Sequence, residues 1–116
     1  MKLKEKLGIL NDQIIYNIFC DSKYPEEDRT SLKKEFSEIK TALIDIEENI
    51  KSKDNKNWLR LIKANVELSE KEYNQGNSDN GREYLEEALR YLQNLAANRK
   101  IKPTFVSGKD GTVEKV

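Results

Sequence analysis

The clearest pattern in the chain is a series of apolar residues spaced alternately four and three positions apart. They are Leu32, Phe36, Ile39, Leu43, Ile46 and Ile50. This heptad spacing predicts a helix with a narrow apolar seam along one side. Pro25 suits a first helical position, and the acidic residues after it are favoured there by the helix dipole. We therefore predict a helix over residues 25–52.

Three more helices are predicted to cover this seam. Apolar residues at helical spacing indicate helices over residues 2–21, 55–75 and 81–98. Gly8 lies inside the first of them and should cost about 1 kcal/mol relative to alanine. It indicates either tolerated strain or the close approach of another helix. Four helices joined by short turns predict an all-α antiparallel four-helix bundle with up-down-up-down topology.

Polar and small residues suggest where these helices begin and end. Gly76 predicts a left-handed stop for the third helix, and Asn80 with Glu83 resembles a capping box for the fourth. Residues 51–57 are all polar, and we interpret them as a loop in which Asp54 caps the third helix. The alternative is an unbroken helix running through to Trp58, which would make the protein an extended, dimeric rod.

The pattern changes near the end of the chain. Pro103 ends any helix, and the Asp-Gly pair at residues 110–111, flanked by short apolar stretches, is typical of a β-hairpin turn. Because an isolated hairpin is marginal in water, we expect a mostly flexible tail. Contact of Phe105 and Val106 with the bundle is the alternative. The predicted division is a bundle domain over residues 1–100 and a tail over residues 101–116.

Composition narrows the class of protein. The 116 residues are 36% charged and 36% hydrophobic, which suits one thin bundle. Cys20 is the only cysteine, so no intrachain disulfide can form. No stretch approaches the ~18 apolar residues of a membrane span. These features predict a soluble protein of a reducing, cytoplasmic compartment.

The residues that usually carry catalysis are missing. The chain has no histidine, which removes histidine-containing triads and zinc motifs. The acidic residues lie mostly on the polar side of each predicted helix, as solvated faces do. Residues 107–111 lack both the phosphate-loop pattern and a following helix. We therefore predict a protein that is not an enzyme and that holds no cofactor or metal.

The charge distribution and the aromatic residues suggest where a partner could bind. Basic and acidic side chains balance at 21 each, but residues 99–116 carry five basic and two acidic ones. This basic end complements a helix dipole or, alternatively, binds an anionic partner. Tyr, Trp and Arg are over-represented in binding hot spots, although bundle helices also use Tyr at core margins. The candidate partner-binding residues are Tyr84, Arg90, Tyr91, Arg99, Lys100 and Lys102.

Two families offer a partial resemblance. Residues 73–76 followed by residues 83–89 resemble a tetratricopeptide hairpin, but residues 77–81 predict a turn and no second copy follows, so we reject that assignment. In size and outline, a small bundle with a mobile tail is similar to bacteriocin immunity proteins. This analogy of fold implies an inhibitor that acts at a membrane-associated target, with the basic tail contacting lipid or a receptor.

The function predicted from the sequence is a protein–protein interaction module, such as a small accessory or inhibitor protein. The immunity-like bundle is one alternative. A nucleic-acid-associated regulator using the basic C-terminal end is another, although the acidic body makes nucleic acid an unfavoured partner. The seam could also form a homodimer with Glu35 opposite Lys40 of a parallel copy. Burial within its own chain is the simpler use of the seam, so we expect a monomer.

Overall fold

The structure is a computed structural model that describes residues 2–19, 29–97, 105–107 and 113–115. Its folded body is all-helical, as the apolar spacing predicts. The helices are α1 (Leu3–Phe19), α2 (Arg29–Glu47), α3 (Lys53–Asn74) and α4 (Ser78–Ala96). Helix α1 packs against α2 and α4, and α3 packs against the same two helices.

Two short strands follow the helices. They are β1 (Phe105–Ser107) and β2 (Val113–Lys115). They pair antiparallel, with Val106 opposite Glu114. The predicted Asp-Gly turn between them lies outside the described residues, as do the predicted helix start at Pro25 and the sole cysteine, Cys20. The division into a bundle domain and a tail stays a prediction.

The heptad seam of α2 lies at the centre of the core. All six of its residues are buried, and none is more than 5% exposed. The other helices supply the apolar side chains around them, which include Leu7, Leu10 and Ile14 from α1, Ile62 and Val66 from α3, and Leu85, Ala88 and Leu92 from α4. Burying a Leu or Ile side chain contributes about 1.5–3 kcal/mol relative to leaving it exposed. The seam is therefore covered by helices of its own chain.

Helix α2 ends earlier than the spacing predicts. The helix stops at Glu47, whereas the seam continues to Ile50, which is buried from a non-helical position. The Asn49 side chain donates to the Asp45 carbonyl at 2.8 Å, and the Ile50 amide donates to the Glu47 carbonyl at 3.2 Å. These bonds satisfy carbonyls at the helix end in a tight turn. Apolar spacing alone cannot reveal such a turn.

Helix α3 also begins earlier than predicted. Its N-cap is Ser52, whose side chain accepts a hydrogen bond from the Asn55 amide at 3.4 Å. Asp54, which the sequence predicted as the cap, lies instead in the first turn, where its charge favours the helix dipole. Residues 48–52 separate the two helices. The predicted break between the helices is confirmed, but it lies at residues 48–52 rather than over 51–57, and the alternative of an unbroken helix is wrong.

The turn between α3 and α4 confirms the predicted glycine stop. Gly76 has φ +83°, in the left-handed region. Its amide donates to the Tyr73 carbonyl at 3.1 Å, and the Asn77 amide donates to the Glu72 carbonyl at 2.9 Å. This pair of bonds is the Schellman arrangement, which satisfies two carbonyls at the end of the helix.

The predicted start of α4 is wrong. Residues 78–80 are already helical, and the N-cap is Asn77 rather than Asn80. The Asn77 side chain makes no capping bond to the backbone of α4 and instead donates to the Glu72 carboxylate at 2.9 Å. Asn77 thus ties the start of α4 to the last turn of α3, a contact that a local capping pattern does not anticipate.

Two glycines inside helices have opposite surroundings. A Cβ atom built at Gly8 would meet nothing within 4 Å among the described residues, so no described helix makes the close approach considered for Gly8. A Cβ atom at Gly81 would lie 2.7 Å from the ring of Tyr73. The Ser69 hydroxyl also donates to the Gly81 carbonyl at 2.6 Å. The close approach is therefore between α3 and α4, at Gly81.

Ion pairs join α2 to its two neighbours. Lys6 of α1 lies 3.0 Å from Asp45, and Lys63 of α3 lies 2.7 Å from Glu47. Lys40 pairs with Glu70 of α3. Partly exposed pairs of this kind contribute about 0–1 kcal/mol each. Lys40, which the alternative homodimer would place opposite Glu35 of a second copy, is thus engaged within its own chain.

Candidate protein-binding surface

The first part of the candidate site lies on the last turns of α4. The guanidinium of Arg90 donates to the carboxylate of Glu87 at 2.6 Å, one helical turn earlier. The central carbon of the guanidinium lies 5.4 Å from the centre of the Tyr91 ring. The Arg90 side chain is 62% exposed, so its remaining N–H groups are accessible. Glu87 and Tyr91 together restrict the positions that this guanidinium can adopt.

Helix α3 supports the aromatic part of the site. The Tyr91 ring lies 5.7 Å from the Trp58 ring, and the two planes are tilted by 34°. Trp58 is buried at the start of α3, and Tyr91 is half-buried. Aromatic pairs of this geometry contribute about 0.5–1.5 kcal/mol beyond the area that they bury. Trp58 therefore holds the Tyr91 ring in place, and part of the Tyr91 side chain remains accessible.

The ionisation states of Tyr91 and Arg90 are fixed at neutral pH. Burial raises the pKa of the Tyr91 hydroxyl above its ordinary value. Hydrogen bonding to Tyr91 is the largest cause that raises the pKa of Arg90, and the Glu87 carboxylate adds to it. The surface consequently presents a neutral phenol beside a permanent cation. We refer to Trp58, Glu87, Arg90 and Tyr91 as the α4 edge.

The structure describes three of the six residues predicted as partner-binding, and it brings two of these three together. Arg90 and Tyr91 lie side by side on the α4 edge. Tyr84 is 1% exposed, so its place on an exposed edge is wrong. Although Tyr84 lies two turns before Tyr91, its side chain is enclosed in the core. Arg99, Lys100 and Lys102 lie outside the described residues.

Sequence reasoning missed two features of the protein surface, one on the α4 edge and one on α1. The Glu87 contact follows from the i,i+3 spacing to Arg90 and could have been found on the sequence. The exposed Ile9 and Tyr16 of α1, which are 44% and 50% exposed, could also have been found. They lie seven residues apart, on a side of the helix different from the buried stripe of Leu10 and Ile14.

No protein-family model, curated protein or solved structure matches this chain. A functional proposal must therefore rest on the geometry of the surface. Within the described residues, no group of acidic or cysteine side chains is arranged to hold a metal ion. In the same part of the chain, none of the helices has the length and apolar character needed to cross a membrane.

Proposed function

We propose that this protein is a non-enzymatic protein-binding module, an accessory or inhibitor protein, and that it binds its partner through the α4 edge. The observation that carries the proposal is the exposed Arg90 guanidinium, held by Glu87 beside the Tyr91 ring, which in turn rests on Trp58. Tyr, Trp and Arg are the residue types that dominate binding hot spots.

The restraint on these side chains favours binding. Ordering a flexible side chain at an interface costs about 0.5–1.5 kcal/mol, and groups held in place beforehand avoid part of that cost. Arg90 still has N–H groups that Glu87 does not use, and a guanidinium prefers a planar carboxylate as its acceptor. The partner that suits the α4 edge therefore offers a carboxylate next to an apolar surface.

Contacts between the ends of neighbouring helices support a rigid base for the α4 edge and indicate the direction in which each helix runs. Phe36, in the first half of α2, lies 5.9 Å from Tyr73, late in α3. Trp58, early in α3, packs against Tyr91, late in α4. Lys6, early in α1, pairs with Asp45, late in α2. These contacts support the up-down-up-down topology, which we propose as the arrangement of the whole bundle.

Affinity capture with matched variants tests the proposal. The full chain is immobilised, and proteins retained from a lysate of its source organism are quantified by mass spectrometry. We expect a retained protein that is lost with Arg90→Ala and with Tyr91→Ala. Arg82→Ala is the matched control, because Arg82 lies on the same helix and pairs with Asp79 at the same i,i+3 spacing, at 3.2 Å.

The outcome depends on the comparison between variants rather than on capture itself. The expected result is that the Arg82→Ala bait retains the protein at the wild-type level. If both arginine variants lose the protein equally, or if Arg90→Ala and Tyr91→Ala keep it, the α4 edge is not the binding surface. Circular dichroism of each variant checks that the helices are intact.

A further inference from the structure

Asn80, which the sequence suggested as a cap, has no such role in the turn between α3 and α4. It is exposed, it is not the N-cap of α4, and its side chain makes no hydrogen bond or ion pair with another described residue. It precedes Gly81, and this is the only Asn-Gly pair in the 116 residues of the chain. Asparagine is a thermolabile residue, and a following glycine increases its reactivity because no Cβ shields the next backbone nitrogen.

The chemistry available to this pair is intramolecular deamidation. The backbone nitrogen of Gly81 attacks Cγ of Asn80 and closes a succinimide ring, while the Cγ–Nδ2 bond breaks. The proton of the Gly81 amide passes to solvent, and the side-chain nitrogen takes up a proton and leaves as ammonia. Water then opens the ring. Its attack at Cγ gives aspartate, and its attack at the main-chain carbonyl carbon gives isoaspartate, whose backbone is longer by one carbon.

The closed helix holds the attacking nitrogen away from this reaction. The Gly81 amide donates to the Asn77 carbonyl at 3.0 Å, which is the first bond of the α4 ladder. Ring closure needs the same nitrogen about 3–3.5 Å from Cγ of Asn80, with the orbitals aligned for attack. The nitrogen can turn toward Cγ only when ψ of Asn80 leaves the helical range. The first turn of α4 therefore has to open before deamidation.

The contacts around the first turn of α4 determine how far this opening extends. The Asn77 side chain is bonded to Glu72 and makes no capping bond to α4, so it does not hold the amides of residues 78–80. At Gly81, by contrast, the carbonyl accepts a hydrogen bond from the buried Ser69 hydroxyl at 2.6 Å. Residues 78–80 can therefore unwind while Gly81 stays attached to α3.

We propose that Asn80 is a site of spontaneous deamidation in the folded protein, and that it reacts through fraying of the first turn of α4. Its two products differ in their effect on the fold. Aspartate adds a carboxylate in the first turn, where the helix dipole favours it. Isoaspartate lengthens the backbone directly before Gly81, where a built Cβ already lies 2.7 Å from the Tyr73 ring. The isoaspartate form therefore has a weakened contact between α3 and α4. This modification is independent of the α4 edge.

Timed incubation of the full chain at mildly alkaline pH tests the inference. Peptide mapping by chromatography and mass spectrometry locates the products and separates aspartate from isoaspartate. The same chain unfolded in urea gives the rate for an open backbone. We expect Asn80 to be the asparagine that reacts fastest in the folded protein, about 5–30-fold more slowly than in the unfolded chain, as a local opening predicts. A reaction that required global unfolding would be slowed by about a thousandfold or more.

Variants separate local fraying from other routes. Ser69→Ala removes the bond to the Gly81 carbonyl, and we expect it to accelerate deamidation by about 2–10-fold, the effect of losing one hydrogen bond. Ser37→Ala changes an exposed serine of α2 and is the matched control, which should leave the rate unchanged. Asn80→Asp supplies the aspartate product directly. In urea unfolding, it should be at least as stable as the wild type, and the isoaspartate form isolated from aged protein should be less stable.

Several results would overturn the proposal. They are a faster reaction at another asparagine of the folded protein, a rate equal to that of the unfolded chain, and a rate slowed as global unfolding requires. Equal rates for Ser69→Ala and Ser37→Ala would show that opening at Gly81 does not control the reaction. An isoaspartate form as stable as Asn80→Asp would show that the longer backbone does not disturb the contact between α3 and α4.

Discussion

Placing the same methyl group on two helices tests the packing of α3 against α4. In Gly81→Ala, the added Cβ would lie 2.7 Å from two carbons of the Tyr73 ring. The ring cannot retreat freely, because Tyr73 is 6% exposed and lies 5.9 Å from the fully buried Phe36. In Gly8→Ala, the added Cβ meets nothing within 4 Å. The two variants therefore share a chemistry and differ in their surroundings.

The expected magnitudes follow from two opposing effects. Replacing glycine by alanine inside a helix stabilises it by about 1 kcal/mol. Overpacking a filled core costs about 1–3 kcal/mol. Gly8→Ala should therefore raise the free energy of unfolding by about 1 kcal/mol. The free energy of unfolding of Gly81→Ala should be lower than that of Gly8→Ala by about 1–3 kcal/mol. The gain in helix propensity is common to both variants, so the difference between them is the cost of overpacking.

Urea unfolding followed by Trp58 fluorescence and by circular dichroism measures both changes. Free energies are comparable if the slope of the transition is unchanged between variants. Gly81→Ala should lower the free energy of unfolding less in the Tyr73→Leu background than in the wild type, because the ring that the added Cβ meets has been removed. Equal stabilisation by Gly8→Ala and Gly81→Ala would refute the reasoning, since it would mean that the Tyr73 ring moves at no cost.

Three other predictions follow. Gly76→Ala should lower the free energy of unfolding by about 1–2 kcal/mol, because alanine is strained at positive φ. Gly76→Asn should lower it less, since asparagine tolerates the left-handed conformation. Equal losses for the two variants in urea unfolding would contradict this prediction. Burial raises the pKa of Tyr91 in the folded state. The contribution of the neutral Tyr91 side chain to stability is therefore fully present below the ordinary tyrosine pKa of about 10, and it is lost as pH rises through the folded-state pKa. In absorbance titrations, Tyr91→Phe should therefore remove a tyrosine that ionises above that value, and loss of one that ionises at or below it would contradict the prediction. Because the seam of α2 is buried within its own chain, we expect sedimentation equilibrium to give the monomer mass of 13.5 kDa, and a dimer mass would contradict this use of the seam.

Local signals in the sequence were enough to predict the helices. The seam of α2 repeats the heptad spacing for almost its full length, and Gly76 needs only its own backbone conformation to end α3. The end of α2 and the start of α3 were harder to predict, because several residues compete for the same roles. Ser52 and Asp54 are both good caps two positions apart, and Ile50 continues the apolar spacing although the helix has already ended.

The α4 edge was predictable from the sequence only in part, because some of its contacts depend on how the helices pack together. Arg90 and Tyr91 are neighbours in sequence, so their shared edge follows from α4 alone. Tyr84 lies two turns before Tyr91 on the same helix, yet it is buried, and spacing along one helix does not show which of two such residues is enclosed. The support that Trp58 gives to Tyr91 depends on how α3 and α4 pack together, which single-helix patterns do not contain.

The short turn at residues 75–77 also has a consequence for folding kinetics. Closing a short loop costs little chain entropy, so the contacts of Tyr73 with Gly81 can form before distant parts of the chain meet. Helix α1 can reach α4 only after the intervening chain has been placed. We therefore expect α3 and α4 to assemble early and α1 to dock late. Gly81→Ala should then slow refolding, whereas Leu7→Ala in α1 should chiefly accelerate unfolding.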